Sequence, residues 1–180
     1  MLGRFLFRWR GVIGLAAFGV LFWLARPTFG SCFAGVPFLL AGLAVRFWAS
    51  GYIGIEGRAR EIGASRKIVN GPYRLLRHPL YIGNFLLVAG MLVALRPSTV
   101  VIVAVLVLFV VEYSLIVIAE EADLKGVWSG ESRVVSRESL ASAAPVGQFS
   151  TGRAICEWRT WVATSVAFGL ALLKASVAAR

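Results

Sequence analysis

The stretch Thr99–Val111 reads TVVIVAVLVLFVV, and it is the centre of a run from Pro97 to Ala119 whose one charged side chain is Glu112. A run of about 20 mostly apolar residues is long enough to cross the hydrocarbon of a bilayer as a helix. The apolar residues follow one another continuously, without the period of 2 or 3.6 that marks a soluble strand or helix with one wet face. Dense β-branching is tolerated here because a span in lipid must close all its backbone hydrogen bonds on itself, which a helix does.

Working outward from this run, the same pattern recurs. Leu80–Leu95 lies before it, and before that a run begins after Pro27 and reaches about Trp48. Gly11–Ala25, extended by Phe5–Trp9 and bounded by Arg10 and Arg26, comes first; Trp158–Ala179, interrupted by Lys174, comes last. A lysine near a helix end can snorkel toward the interface. The chain is 58% hydrophobic, with a mean hydropathy of +0.78 over 180 residues, enough for one domain of a few spans. The fold expected is an all-α polytopic membrane helix bundle of about five transmembrane helices, with residues 1–180 forming a single integral membrane domain.

Charge sets the expected orientation. Arg58, Arg60, Arg66, Lys67, Arg74 and Arg77 crowd the linker Glu56–Pro79, and Arg4, Arg8 and Arg10 the amino end, whereas the short turns hold Arg26 and Arg96 alone. The positive-inside bias then puts the amino end, the linker and the segment 120–159 in the cytoplasm, of a plasma (inner) membrane protein whose site faces the cytoplasm. The net charge of +10 follows from this asymmetry and from attraction to anionic lipid, and no nucleic-acid reading module accompanies it. Cys32 and Cys156 have no C-x-x-C spacing and His78 is the one histidine, so no metal site is expected. No phosphate-binding loop, dinucleotide fingerprint or nucleophile elbow is present.

Two polar constellations remain, both where linkers meet spans. One is GPYRLLRHPLYIG, residues 71–83; the other is VEYSLIVIAEEADL, with Glu112 inside a span and Glu120 and Glu121 at its end. Adjacent carboxylates on a helix point about 100° apart, so one can face the bundle while the other faces the surface. An ionisable residue inside a span usually faces the bundle and has a partner; Arg46, near the end of the second span, is the candidate partner of Glu112. Pro79 suits the first turn of a helix and disfavours helical geometry at His78, so the imidazole is expected at the entry of the third span.

GPYRLLRHPLYIG resembles the G-P-Y-x-x-x-R-H-P-x-Y-x-G signature of the isoprenylcysteine carboxyl methyltransferase family and its relatives, the phospholipid N-methyltransferases. GLAVRFWASGYIG at 42–54 is similar to that family's second-span ending, and AEEADL matches its E-E-x-x-L motif, so the resemblance covers residues from about 40 to 125. It implies S-adenosylmethionine as cofactor, held at the helix ends, and a membrane lipid or lipidated small molecule as methyl acceptor. It also implies Arg77, His78, Pro79, Tyr81, Gly83, Glu120 and Glu121 as cofactor-site positions, with His78, Glu120 and Glu121 as the catalytic set. The reaction implied is carboxyl O-methylation of an isoprenylcysteine-like acceptor or N-methylation of a phospholipid amine.

The residue types suit that cofactor. Arg77 or Arg74 can pair with its carboxylate, Glu120 or Glu121 with its ammonium, and Tyr81 can cover its ring, while Gly83 permits close approach to the third helix. His78 is expected to orient the cofactor, with proton removal as a second role for an amine acceptor. Beyond the glutamate pair the family's F-G-x-x-Y-x-x-Y is replaced by Trp128, Ser129, Ser132 and Val135. Residues 125–157 match poorly and read as a flexible cytoplasmic segment rich in Ser, Ala and Gly. The alternative this departure raises is a degenerate relative that binds the cofactor or a lipid without turnover.

Overall fold

Why the apolar runs become helices is visible at their ends, where proline and hydroxyl residues start them. In this computed structural model the described residues are 2–52, 71–76, 78–128 and 149–180, with side chains described at 12, 14–52, 71–76, 78–118 and 149–180. Helices α1 (Leu2–Leu24), α2 (Phe29–Tyr52), α3 (Pro72–Leu75), α4 (Pro79–Leu95), α5 (Thr99–Trp128), α6 (Thr151–Ile155) and α7 (Trp158–Ala178) follow in order. Thr28 and Ser31 cap the start of α2 by exchanging bonds: Ser31 N–H donates to Thr28 Oγ1 at 3.1 Å and Thr28 N–H to Ser31 Oγ at 2.9 Å. Pro79 occupies the first turn of α4 as expected, and His78 before it is extended at φ −136°.

The chain is an all-α membrane helix bundle, and no strand occurs among the described residues. Phe29–Tyr52, Thr99–Ile118 and the stretch Thr151–Ala178 are long and apolar enough to cross a membrane; Gly14–Leu24 and Pro79–Leu95 are shorter apolar helices. At 1.5 Å per residue, α4 is about 25 Å long, a little under the hydrocarbon thickness. Large apolar side chains face outward along α5, where Val100 is 78% exposed, and at Trp23 on α1, 84% exposed. Such an outward apolar surface is what lipid requires.

Inside, α2 packs along α4 and touches α6 and α7, while α1 lies against α5. The α2–α4 crossing is lined by glycines at heptad spacing, Gly35 and Gly42 on one helix and Gly83 and Gly90 on the other. A Cβ on Gly35 would come within 2.6 Å of the Gly90 carbonyl oxygen, and one on Gly42 within 2.9 Å of that of Gly83. The backbones touch because nothing stands between them, as at small-residue interfaces of membrane helices. Gly35→Val is therefore expected to destabilise the bundle by about 1–3 kcal/mol through overpacking against backbone. Gly19→Ala, where an added Cβ meets nothing within 4 Å, should be neutral or slightly stabilising. Unfolding in detergent followed by circular dichroism measures both, and equal stabilities would contradict this packing.

Two expectations are refined. Lys174 does more than reach the interface: its ammonium donates to the Phe22 carbonyl and, at 3.2 Å, to that of Trp23, and lies 4.9 Å from the centre of the Phe22 ring. It thereby closes the open carbonyls at the end of α1. The segment expected to be a flexible linker is structured at both edges. Helix α5 continues to Trp128, and Phe149 packs between the rings of Phe47 and Tyr52 while Ser150 N–H donates to the Gly51 carbonyl at 3.0 Å. Residues 129–148 and most of the basic linker, 53–70, lie outside the described residues.

Candidate functional site

At the end of the bundle where α4 begins, polar side chains from four helices meet in one layer. Arg46, on the last turns of α2, donates through Nη1 to Asn84 Oδ1 and through Nη2 to Glu157 Oε2 at 2.5 Å. Thr160, one turn into α7, donates to the same carboxylate oxygen at 3.0 Å and lies 3.3 Å from Arg46 Nη2. On its other side Asn84 donates to the Tyr113 hydroxyl at 2.6 Å, which ties α5 into the layer. Arg46 and Glu157 are only 15% and 14% exposed, so this ion pair is poorly screened and each member depends on the other.

Above that layer runs a train of rings. His78 stacks on Tyr81 at 5.3 Å and 15°, Tyr81 meets Tyr113 edge-on at 4.9 Å, and Tyr113 stacks on Phe109 at 4.2 Å. His78 makes no side-chain cap bond to α4, and its carbonyl accepts from the Tyr81 N–H at 3.1 Å. Phe109 also lines an apolar cavity of about 430 Å³ between α1, α4 and α5, together with Phe18, Leu87, Met91 and Glu112. The ring train thus runs from the polar end of the bundle to a lipid-facing slot.

Of the expected site residues, His78, Pro79 and Tyr81 come together with one another. Gly83 lies beside them, but its bare face is turned to α2. An added Cβ would stand 2.6 Å from Arg46 Cγ and 3.2 Å from the Gly42 carbonyl oxygen, so helix packing around Arg46 accounts for this glycine. Arg74 is exposed on α3, and Arg77 lies outside the described residues. Glu120 and Glu121 lie on α5, their side chains outside the description; position 120 is seven residues past Tyr113 and so on the same face of the helix.

The pairing expected between Arg46 and Glu112 is corrected: Arg46 goes to Glu157. Neighbouring helix positions diverge by about 100°, so with Tyr113 turned into the polar layer, Glu112 is turned to the slot beside α1. Asn84, Tyr113, Glu157 and Thr160 were not singled out from the sequence. Asn84 had a signal, an amide inside an apolar run, and Glu157 with Thr160 is a carboxylate and hydroxyl one turn apart at the start of a span.

An ion pair, an amide and a row of packed rings thus meet at one end of the bundle. No curated protein and no solved structure matches the chain. The family model for phospholipid methyltransferases matches residues 31–129, more than half the length. It takes in Arg46, His78, Tyr81, Asn84 and Tyr113, while Glu157 and Thr160 join the layer from beyond it. By that match, running from α2 through α5, the chain belongs to the phospholipid methyltransferase family, whose members are membrane methyltransferases.

Proposed function

We propose that this protein transfers a methyl group from S-adenosylmethionine to the head of a membrane lipid, with a phospholipid amine as the acceptor. The observation that carries this reading is the ring train His78–Tyr81–Tyr113–Phe109, because it joins a polar site to a slot suited to an acyl chain. When bound, the donor supplies an electrophilic methyl carbon on a sulfonium, which leaves as a neutral thioether as the acceptor nitrogen bonds to that carbon.

The chain's own residues do the rest. The packed rings of His78, Tyr81, Tyr113 and Phe109 form an aromatic wall along which the donor would lie. Glu120 or Glu121 would hold the donor's ammonium, and Arg77 or Arg74 its carboxylate. His78 orients the donor and accepts the proton that an ammonium acceptor must lose before it can attack. The Arg46–Glu157 pair fixes α2 and α7 around the site, since alignment and exclusion of water are what methyl transfer asks of a protein. An amine acceptor is favoured over an isoprenylcysteine-like carboxylate by the match to the phospholipid methyltransferase family.

The test is incubation of the purified protein with methyl-labelled S-adenosylmethionine and a total lipid extract, followed by identification of labelled lipids. A labelled amine phospholipid supports the reading. A labelled prenylated carboxyl ester moves the acceptor to the other class, and no label with donor binding intact identifies a non-catalytic binder. The basic linker supports a site on the cytoplasmic side of the plasma (inner) membrane; reporter fusions at residues 60 and 140 should both report the cytoplasm, and opposite sides would contradict it.

A further inference from the structure

The opposite end of the bundle carries a second constellation that methyl transfer does not use. Two turns there share one tripeptide pattern, Arg26-Pro27-Thr28 after α1 and Arg96-Pro97-Ser98 after α4. They are held side by side: Arg26 N–H donates to the Leu95 carbonyl at 3.1 Å, and Ser31 Oγ to that of Ala94 at 2.9 Å. Between them and the last turns of α7 lies a cavity of about 910 Å³ lined by Arg26, Thr28, Arg96, Ser98, Thr99 and Lys174. Three cations border it and no Asp or Glu does.

Two observations set this cluster apart from ordinary interfacial charge. Arg96 is the one non-glycine residue at positive φ among the described residues, φ 47° and ψ 54°, at the end of α4. Glycine is the residue favoured there, so a guanidinium is kept at a position where its backbone is strained. The turns also stand at the end of α4 away from His78, about 25 Å off by the rise of 17 residues, and so away from the basic linker. The positive-inside bias disfavours cations at that end, so orientation does not explain them.

We propose that this cavity binds the phosphodiester of an anionic phospholipid in the leaflet opposite the methyl-transfer site. Guanidinium forks match phosphate oxygens in pairs, and the Lys174 ammonium, already anchored on the Phe22 and Trp23 carbonyls, adds a fixed point charge. The cavity is far roomier than a lone ion requires, and it lies where the apolar helices α1, α4 and α7 end or turn.

The test compares the wild type with Arg26→Gln/Arg96→Gly, in which Arg96→Gly removes the charge and suits the backbone at position 96. Thermal stability in detergent is titrated with phosphatidylglycerol, with phosphatidylcholine, and with inorganic phosphate at equal phosphate concentration. Phosphatidylglycerol should stabilise the wild type at the lowest concentration, with at least about tenfold weaker apparent affinity in the double variant, the loss of one charged hydrogen bond or more. Arg26→Lys/Arg96→Lys, which keeps both charges and loses the paired forks, should recover only part of it. The exposed Arg26→Gln alone, which leaves the fold untouched, should show a smaller loss in the same direction. Equal affinity of wild type and double variant overturns the proposal, as does equal stabilisation by inorganic phosphate. Methyl transfer assayed on the same variants is expected to be unchanged, which keeps this site's fate separate from that of the site at His78.

Discussion

Replacing Arg46 with methionine is expected to cost the folded protein about 3 kcal/mol, the low end of what breaking a buried ion pair costs. The pair is about six-sevenths buried on both sides, so Glu157 would be left as a charge with little water, and Asn84 would lose its strongest donor. The size of the effect comes from the orphaned carboxylate more than from the lost attraction. Arg46→Met/Glu157→Leu should therefore recover a large part of the stability, since two apolar side chains of similar volume leave no charge behind. Activity should not return with it, because the Asn84–Tyr113 hydrogen bond would no longer be held from α2 and α7. Unfolding in detergent measures the first part and labelled-methyl turnover the second. A single substitution costing under about 0.5 kcal/mol would mean the pair is screened like one at a surface.

His78→Ala and His78→Gln are expected to lower turnover on an amine acceptor by about 100-fold or more, the range lost when a positioned base is removed. They should differ in donor binding. Glutamine keeps a donor and an acceptor and can still orient the cofactor, whereas alanine keeps neither. Both variants should still fold, because Pro79 starts α4 without a cap from the imidazole, although each loses the ring contact with Tyr81. If neither binding nor turnover changes, the histidine is a packing residue at a helix start. If both substitutions leave binding normal and turnover alone collapses, its role is that of a base only.

The helices could be read from the sequence because lipid imposes a simple rule: every backbone group must be satisfied within the segment, so apolar length alone marks a span. Thr99–Val111 shows this, and so do Pro79 and the Thr28–Ser31 pair, whose local chemistry starts α4 and α2 whatever surrounds them. His78 and Tyr81 were legible for the same reason, lying within one turn of a proline-started helix. The partnership of Arg46 was not. Its choice between Glu112 and Glu157 depends on how α5 and α7 are rotated about their own axes, and a run that is apolar all round carries no stripe to set that rotation. Glu157 was hidden further by lying beyond the poorly matching segment, so only the packing of α7 against α2 brings it in. Gly83 was legible as a close approach but not as an approach to what: it admits Arg46 and α2.

The end of the bundle around His78, Tyr81 and Tyr113 is the proposed binding site for the adenosyl and amino-acid parts of the methyl donor, and calorimetric titration with S-adenosylhomocysteine, which keeps both, tests this most directly. The account predicts saturable one-to-one binding to the wild type, weakened by about 1.5–3 kcal/mol for each charged hydrogen bond lost in Glu120→Gln/Glu121→Gln. No detectable binding to a wild-type protein that still unfolds cooperatively would contradict it.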